Sequence, residues 1–476
     1  MPLPYSDRAH RFALLAVSAG LAVLPMSASA VGPDCLLDLS DVQLTEGVTG
    51  PGAEYVFAMP DAWNGQLVTY VRGQTEAGED PNFTDSLCVA AEVATRHGFA
   101  VAASAFSVNG FAIAEATRET HQLRGLFASE FGHPDKTFVW GKSMGGLVGE
   151  DLIEQYAPSQ YDGALLECGL VGGSTEQFEH SFTAGVLFDH FFDGALGYDL
   201  TEPPSGLDEA VETQRVIDIL AADLVSAAQA DLGECLDQCC SYVWWLGETV
   251  CNPFCVAGSD IDLDGSVALE LARVDQSQMV VREDRLDAVL DLADEFQIPL
   301  GLSPLERDLI DTFLGHRLVP NVVEIYGQVV TGAVLNLSPE LESLTQGRHA
   351  FGNMDVDYTG SEDDVAMNAG VPRVDAHPAA ANALANWHTP DGDLGAPIVT
   401  LHNVVDPVVP YFHESLLQGV VQTAGADDLL VQQSVEAFGH CEFTAGELEG
   451  AFLDMVGWAN DDVVPAGGDV TGRILP

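Results

Sequence analysis

The chain has 476 residues, of which 73 are acidic and 17 are Lys or Arg, and its formal net charge is -56 at pH 7. A negative charge of this size repels phosphate backbones and anionic headgroups, which excludes nucleic acid and an anionic membrane surface as partners. The length and a hydrophobic content of 47% fit a large globular protein.

The first 30 residues predict a signal peptide. Arg8 and Arg11 precede an apolar run over residues 12–24, and small residues follow up to Ala30. We expect cleavage near Ala30 and a secreted protein, either periplasmic or extracellular. No segment reaches the roughly 18 consecutive apolar residues that a membrane-spanning helix needs, so we expect no membrane partner.

The charge is also unusual in its distribution. Lys136 and Lys142 are the two lysines of the chain, and the acidic residues are spread along its whole length instead of forming a tail. We interpret this as adaptation to high salt, because screening relieves like-charge repulsion. The alternative is a merely acidic secreted protein.

Six buried strand patterns alternate with helical patterns. The strands are predicted at 66–71, 99–105, 137–141, 162–168, 397–402 and 429–435, and helices at 84–97, 113–131 and 144–155. This alternation predicts an α/β fold with a mostly parallel sheet and helices on both faces. The segment between the fourth and fifth strands is too long for a loop and predicts a mostly helical cap. The predicted organisation is therefore a signal peptide (1–30), a core in two parts (31–180 and 386–476) and a cap (181–385).

The strand at 137–141 ends in a G-x-S-x-G motif with a helix directly after it. Gly141 and Gly145 flank Ser143, and a strand that turns sharply into a helix leaves no room for Cβ atoms where the two elements cross. The context predicts a nucleophile elbow that holds the Ser143 hydroxyl exposed at the carboxyl edge of the sheet.

An acid and a histidine follow later strands, in the chain order that an α/β-hydrolase requires. Asp406 comes after the strand 397–402, and His440 after the strand 429–435. A serine hydroxyl needs an imidazole to take its proton and a buried carboxylate to orient that imidazole. We therefore predict that Ser143 is the nucleophile, His440 the general base and acid, and Asp406 the orienting acid. Taken singly, Asp406 could form an Asp-Pro turn and His440 could be a surface histidine.

An oxyanion hole requires two backbone N–H groups near the nucleophile. Met144, which directly follows Ser143, supplies the first. Gly73 allows the backbone after the strand 66–71 to approach the serine, so that Gln74 supplies the second. The alternative for Gly73 is an ordinary turn.

Several of these motifs together resemble those of secreted bacterial α/β-hydrolases of the esterase and prolyl-oligopeptidase-like kind, and more distantly tannases and feruloyl esterases. The motifs are Trp63-Asn64-Gly65-x-Leu67, the elbow from Gly141 to Gly146, the strand Tyr161 to Leu165, Thr400-Leu401-His402 with Asp406, and Gly439-His440-Cys441-x-Phe443-Thr444. The resemblance covers about residues 50–185 and 350–460. Two departures stand out: Arg72 occupies the place of the usual His, and Lys142 the place of the cysteine that precedes the serine in tannase-like esterases.

Nine cysteines in an exported chain predict disulfides, with at least one cysteine left over. Cys168 and Cys441 both follow strands at the carboxyl edge of the sheet, so we predict that they bond to each other, the alternative being two unrelated buried thiols. Five more lie close together in the cap: Cys235, Cys239, Cys240, Cys251 and Cys255. We favour two local disulfides that staple a hairpin of helices over a metal knuckle.

Two further cap features have open interpretations. Asp260, Asp262 and Asp264 precede Gly265 at the spacing of the first half of a calcium loop, but Leu271 occupies the place of its last acidic ligand. Structural calcium and a plain Asp/Gly turn both fit this segment, and no other cofactor is expected. The aromatic run from Phe178 to Phe192 either lines a substrate pocket or packs the core of the cap.

Together these features predict a secreted serine hydrolase that cleaves small-molecule or polymeric carboxylic esters through an acyl-enzyme. One alternative is a peptidase or amidase with the same triad, which the Gly145-Gly146 pair suggests. Another is a catalytically inactive hydrolase fold used for binding.

Overall fold

The computed structural model describes residues 42–50, 52–75, 83, 85–208, 211–220, 222–223, 240–243, 248–251, 339–359, 361, 363–385, 388–406, 408–468 and 470. The predicted signal peptide and the predicted calcium residues Asp260, Asp262 and Asp264 lie outside these ranges.

An eight-stranded sheet with the order β1-β2-β4-β3-β5-β6-β9-β10 organises the fold. Its strands are β1 (Val42–Val48), β2 (Glu54–Pro60), β3 (Gln66–Val71), β4 (Ala100–Phe106), β5 (Lys136–Lys142), β6 (Gly163–Glu167), β9 (Ile398–Val405) and β10 (Leu430–Phe438). β1 and β2 are antiparallel, and β2 is antiparallel to β4. The six strands β4, β3, β5, β6, β9 and β10, in that order across the sheet, pair in parallel. This order and direction are those of the α/β-hydrolase fold, and the predicted fold class is confirmed.

The described helices connect these strands, belong to the segment between β6 and β9, or, in the case of α10, follow the last strand. They are α1 (Asp85–Arg96), α2 (Ile113–Phe131), α3 (Met144–Tyr156), α4 (Ser174–Phe191), α5 (211–220), α6 (Pro339–Thr345), α7 (Asp364–Gly370), α8 (Pro378–Leu384), α9 (Phe412–Ala424) and α10 (Ala445–Asp461). α4 crosses residue 180, where the sequence predicts the passage from core to cap.

Side chains alternate between the two faces of the sheet, and each face is covered by helices. Along β5, Val139 packs with α2, α3 and α9, whereas Phe138 and Trp140 on the other face pack with α1 and α10. Because both faces are buried, the central strands are nearly continuous apolar runs, which explains why they are recognisable in the sequence.

Two pairs of strands depart from the predictions. β1 and β2 are absent from the predicted strands. β1 is an edge strand with no buried residue, which explains its weak signal. β2 is partly buried and contains the apolar run 55–59, so its signal was present in the sequence. In the segment predicted to be the cap, Cys240 and Cys251 pair in register on the antiparallel strands β7 (Cys240–Val243) and β8 (Glu248–Cys251). The prediction of a hairpin of helices around these two cysteines is therefore wrong, since the residues form strands.

Within the described part of the chain, no helix combines the length and the apolarity that crossing a membrane would require.

Candidate active site

The turn from β5 into α3 is possible because two glycines lie where the elements cross. A Cβ on Gly141 would lie 2.1 Å from the carbonyl oxygen of Gly145, and a Cβ on Gly145 would lie 2.1 Å from the carbonyl oxygen of Val71. Neither position tolerates a side chain. Between them Ser143 has φ 55° and ψ -122°, an unfavourable backbone conformation for a residue with a Cβ, and its side chain points away from the crossing.

Gly146 has a packing role of its own. A Cβ at this position would lie 2.6 Å from the Cα of Gly169, just after β6. The second glycine of the Gly145-Gly146 pair is thus explained by the close packing of α3 on the sheet, and it gives no evidence on the type of bond cleaved.

The carboxyl edge of the sheet brings Ser143, His440 and Asp406 together. His440 Nε2 lies 2.8 Å from Ser143 Oγ, and His440 Nδ1 lies 2.8 Å from Asp406 Oδ2. The His440 side chain is 21% exposed, whereas Asp406 is fully buried. These residues follow β5, β10 and β9, and the carboxyl ends of parallel strands meet at a single edge.

Asp406 is held as a carboxylate. Its Oδ1 accepts hydrogen bonds from the backbone N–H groups of Val408 and Val409, both 2.9 Å long. Burial alone would raise the pKa of Asp406, but the neighbouring rings of His440 and His402 outweigh burial and lower this pKa to about 2. A permanent negative charge thus faces Nδ1 of His440.

This geometry can perform general-base-assisted nucleophilic attack. The Asp406 carboxylate accepts the Nδ1–H of His440, which leaves the Nε2 lone pair directed at the Ser143 hydroxyl. Nε2 can then take the hydroxyl proton as Oγ attacks an electrophile, and the carboxylate stabilises the imidazolium that forms.

The loop after β3 passes directly over Ser143. A Cβ on Gly73 would lie 3.1 Å from the Cβ of Ser143 and 3.6 Å from its Oγ. Gly73 therefore does more than form a turn, because its lack of a side chain keeps the backbone close to the hydroxyl.

Arg72 anchors this loop from within the protein. One terminal nitrogen donates to the carbonyl of Gly73 and to Thr75 Oγ1, and the other donates to the carbonyl of Ala105 and to Asn109 Oδ1, all at 2.9 to 3.0 Å. The guanidinium also lies 4.4 Å from the ring centroid of Phe106. Burial lowers the pKa of Arg72 to about 10, which leaves the group charged at neutral pH.

Gln74 has an exposed side chain, and its predicted role in the oxyanion hole concerns its backbone N–H. In a trans peptide the C=O and the next N–H point in opposite directions. Since Arg72 binds the carbonyl oxygen of Gly73, the N–H of Gln74 points away from Arg72.

The loop that carries His440 is tied to the sheet in two ways. Cys441 forms a disulfide with Cys168, which directly follows β6, and their Cα atoms are 5.3 Å apart. Asn403, on β9, donates to the carbonyl oxygen of Glu442 and accepts from its N–H at 2.9 and 3.0 Å. The backbone directly after His440 is therefore fixed against two neighbouring strands.

Cys168, His440 and Cys441 lie close enough together to suggest metal ligands. The two sulfurs are bonded to each other, however, and a disulfide offers no thiolate to a metal.

Three contributors to this region were missed from the sequence: the Arg72 anchor, the Asn403 clamp, and a buried pair formed by His402 and Glu414. Most of the partners that define them lie on other elements, such as Ala105 for Arg72, Glu442 for Asn403 and Glu414 for His402, so no local spacing signals them. A weak signal was present, since His402 and Asn403 interrupt an otherwise apolar strand.

Part of the predicted aromatic run borders a cavity. Phe178 and Phe182 of α4 line a cavity of about 320 Å³ together with Leu341 and Phe351. Phe178 also packs edge-on against Phe111, with ring centroids 5.0 Å apart. Phe178 therefore both borders a cavity and packs against a residue of the predicted core, and the choice between a substrate pocket and core packing of the cap stays open.

Comparison with protein families and curated proteins gives one partial match. No family model matches the chain. Over 128 residues the chain is 31% identical to an o-phthalyl amidase of Xanthobacter agilis, a match that spans 25% of this chain and 26% of the amidase.

Several solved structures are similar in outline. An esterase from Aspergillus oryzae has a TM-score of 0.45 and 15% identity, over 89% of this chain and 81% of the esterase. Feruloyl esterase B from the same organism has a TM-score of 0.42 and 12% identity, over 90% and 83%. An acylaminoacyl peptidase from Pyrococcus horikoshii has a TM-score of 0.37 and 8% identity, over 92% of this chain and 45% of the peptidase.

Proposed function

We propose that this protein is a secreted serine hydrolase that cleaves carboxylic esters through an acyl-enzyme intermediate. The observation that carries the proposal is the unbroken pair of hydrogen bonds, each 2.8 Å long, from Ser143 Oγ through His440 to the buried Asp406. Ser143 is the nucleophile, His440 the general base and acid, and Asp406 the orienting acid.

In the acylation step Ser143 Oγ bonds to the substrate carbonyl carbon while its proton passes to His440 Nε2. The negative charge on the carbonyl oxygen is stabilised by the N–H groups of Met144 and Gln74. The tetrahedral intermediate collapses when the C–O bond to the leaving alcohol breaks and His440 returns the proton to that alcohol. Water, deprotonated by His440, then attacks the acyl-enzyme and releases the carboxylic acid and free Ser143.

Support for the Gln74 role comes from two contacts. The Gly73 backbone lies against Ser143, and Arg72 holds the Gly73 carbonyl oxygen, so that the Gln74 N–H faces the opposite way. Met144 follows Ser143 at the start of α3, where backbone N–H groups have no partner within the helix.

Esters are the proposed substrates because an alkoxide leaves more readily than an amide nitrogen, so they demand less of the acid and of the oxyanion hole. Amide hydrolysis is the second candidate, favoured by the partial identity with an o-phthalyl amidase. Both reactions use the same residues and need no cofactor. Residues 181–385 form the proposed cap that selects a small-molecule or polymeric substrate.

The proposed secretion rests on the predicted signal peptide and agrees with a disulfide between Cys168 and Cys441. The proposed adaptation to high salt rests on the net charge of -56.

A two-part experiment tests the proposal. A fluorophosphonate probe should label wild-type protein at Ser143 and leave Ser143→Ala unlabelled; absence of labelling would favour a binding protein over an enzyme. A panel of p-nitrophenyl esters and the matching acyl anilides, assayed at several salt concentrations, then separates the bond types. Anilide turnover equal to or above ester turnover would assign the protein as an amidase.

A further inference from the structure

A second histidine, His402, lies next to Asp406 and plays no part in the proposed proton transfer. Its ring is fully buried. Nε2 lies 2.9 Å from the carbonyl oxygen of Val409, and Nδ1 lies 3.0 Å from Glu414 Oε1. Nε2 is also 3.6 Å from Asp406 Oδ2, the oxygen that contacts His440.

These partners determine the protonation of the ring. A carbonyl oxygen can only accept, so Nε2 carries a proton. Glu414 Oε2 accepts from Thr400 Oγ1 and from Gln432 Nε2, each at 2.6 Å, and two donors on one oxygen favour the ionised carboxylate. The other oxygen of an ionised Glu414 accepts from Nδ1, which therefore carries a proton as well. His402 is thus an imidazolium between two carboxylates.

We propose that the His402–Glu414 pair is a positioning device for the triad, in which the imidazolium of His402 holds Asp406 and partly neutralises its charge, and thereby sets the pH at which His440 gains a proton. The inference rests on the proposed function, since it concerns the same triad. It assigns His402 and Glu414 as positioning residues, because neither touches Ser143.

The electrostatics agree with this assignment. Burial lowers the pKa of His402, but its contacts with the Asp406 and Glu414 carboxylates outweigh burial and raise this pKa to about 10. Two other ionisable groups face the pair. His413, the neighbour of Glu414 on α9, and Glu150 on α3 are both fully buried and interact electrostatically with it.

Neither of these two groups carries charge that would offset His402. His413 accepts from the N–H of Gly172 at Nδ1 and donates to Gln177 Oε1 from Nε2, so its ring is neutral, and burial lowers its pKa well below the usual range. Neither carboxyl oxygen of the fully buried Glu150 has a hydrogen-bond partner, which disfavours its charged form. Burial, together with nearby acids, raises the pKa of Glu150 well above its usual range.

The charge of His402 can be measured directly on the wild-type protein. In ¹⁵N spectra of the whole protein at pH 8, both ring nitrogens of His402 should have the shifts of protonated imidazole, whereas His413 should show one protonated and one bare nitrogen. The His402→Gln variant identifies the His402 signals. A neutral His402 ring at pH 8 would overturn the proposal.

The second measurement is the pH dependence of Ser143 labelling by the fluorophosphonate. Removing a positive charge near His440 favours its protonation, so in His402→Gln the acidic limb of the rate profile should move up by about one pH unit, the size expected for one charge in a protein interior. Glu414→Gln takes away the carboxylate that favours the second proton on His402. In this variant the limb should move in the same direction but less far, because the negative charge of Glu414 is lost together with the positive charge of His402. His413→Gln, the loss of an equally buried but neutral histidine, is the matched control and should leave the limb in place. Folding of each variant is checked by circular dichroism.

The outcomes separate the two proposals. An unmoved limb in both folded pair variants would overturn the role of His402, even if Ser143 is labelled and active. If Ser143 is never labelled, the proposed hydrolase function fails, and the spectra still report the charge of His402. If His402→Gln does not fold, Glu414→Gln and the wild-type spectra decide the question.

Discussion

At the scale of single residues, the candidate site depends on which hydrogen-bond and ionic partners each buried polar group has. Asp406 and His402 are both fully buried, yet each has partners that match its charge. Glu150 is the contrast: it is fully buried, and neither carboxyl oxygen has a hydrogen-bond partner. Because burial without a partner penalises a charge, Asp406 is ionised and Glu150 is neutral.

The first prediction concerns the triad. Ser143→Ala and His440→Ala should each lower kcat by about 10⁴-fold or more, and Asp406→Asn by somewhat less. Because the residues act as a unit, the double variant of Ser143 and His440 should be no worse than either single one. Circular dichroism checks the fold. Near wild-type turnover in Asp406→Asn would reassign the acid to another residue.

Glu150 provides a pH-dependent prediction. Since its pKa is raised in the folded state, folding retains a proton that the unfolded chain releases above pH ~4.5. The stability contribution of Glu150 is therefore complete below that pH and is lost as the pH rises. Glu150→Gln should raise the melting temperature at pH 8, with a gain that shrinks towards pH 5. Glu130→Gln, which makes the same chemical change at an exposed position of α2, is the control; an equal gain in both variants would contradict the burial argument.

At the scale of secondary-structure elements, the site depends on what fixes the segments that follow β3 and β10. Near the site, neither segment forms a strand or a helix, so side-chain contacts must fix the backbone of both segments. Arg72 does so after β3 through four hydrogen bonds, and the Cys168–Cys441 disulfide and Asn403 do so after β10.

Arg72→Lys keeps the charge but cannot reach all four acceptors from one ammonium group. The Gly73 carbonyl should then be released, so that the Gln74 N–H is no longer aligned with the oxyanion. We expect kcat to fall by about 10- to 100-fold with little change in KM. Steady-state kinetics test this, with the exposed Arg118→Lys as the control. A fall in both variants, or a change confined to KM, would contradict the oxyanion role.

Removal of the disulfide should affect both stability and activity. In the double variant Cys168→Ala and Cys441→Ala the His440 loop keeps the Asn403 clamp but loses its covalent tether. We expect a loss of about 2–5 kcal/mol of unfolding free energy and about a tenfold to hundredfold drop in kcat. Denaturant unfolding and esterase kinetics measure the two effects. Asn403→Ala should reproduce part of the drop in kcat with the disulfide intact, and unchanged kcat in both would show that the loop needs no tether.

The predictable part of the fold is the part with a repeating apolar signal. The central strands are buried on both faces, and α2 begins and ends at the predicted Ile113 and Phe131. The three proposed triad residues were identifiable because each follows such a strand. β1 lacks this signal because it is exposed on an edge. The roles of Arg72, Asn403 and Glu414 have no such signal either, because they depend on partners on other elements: Ala105 for Arg72, Glu442 for Asn403 and His402 for Glu414.

At the scale of the whole molecule, the dominant property is the charge of -56. Like-charge repulsion opposes compaction and is only partly screened at a Debye length of about 10 Å in 0.1 M salt, but is screened within about 3 Å at 1 M.

We therefore expect the melting temperature to rise steadily from 0.1 to 3 M NaCl. The same series at pH 4, where much of the carboxylate charge is neutralised, should show a smaller rise. A flat or falling melting temperature at pH 7 would contradict adaptation to salt, and equal rises at both pH values would assign the effect to something other than charge.

The direct pairing of β6 with β9 has a consequence for the diversification of such proteins. β6 ends at Glu167, and the next strand of the same sheet, β9, begins at Ile398 and pairs directly with β6. The segment between them therefore begins and ends at neighbouring positions of the sheet. Doubling the length of a flexible connecting segment raises the free-energy cost of bringing its ends together by only about 0.6 kcal/mol. Segments of very different length and sequence could therefore be exchanged at this point by recombination, with Ser143, Asp406 and His440 left in place, and a new substrate range could arise without a new catalytic apparatus.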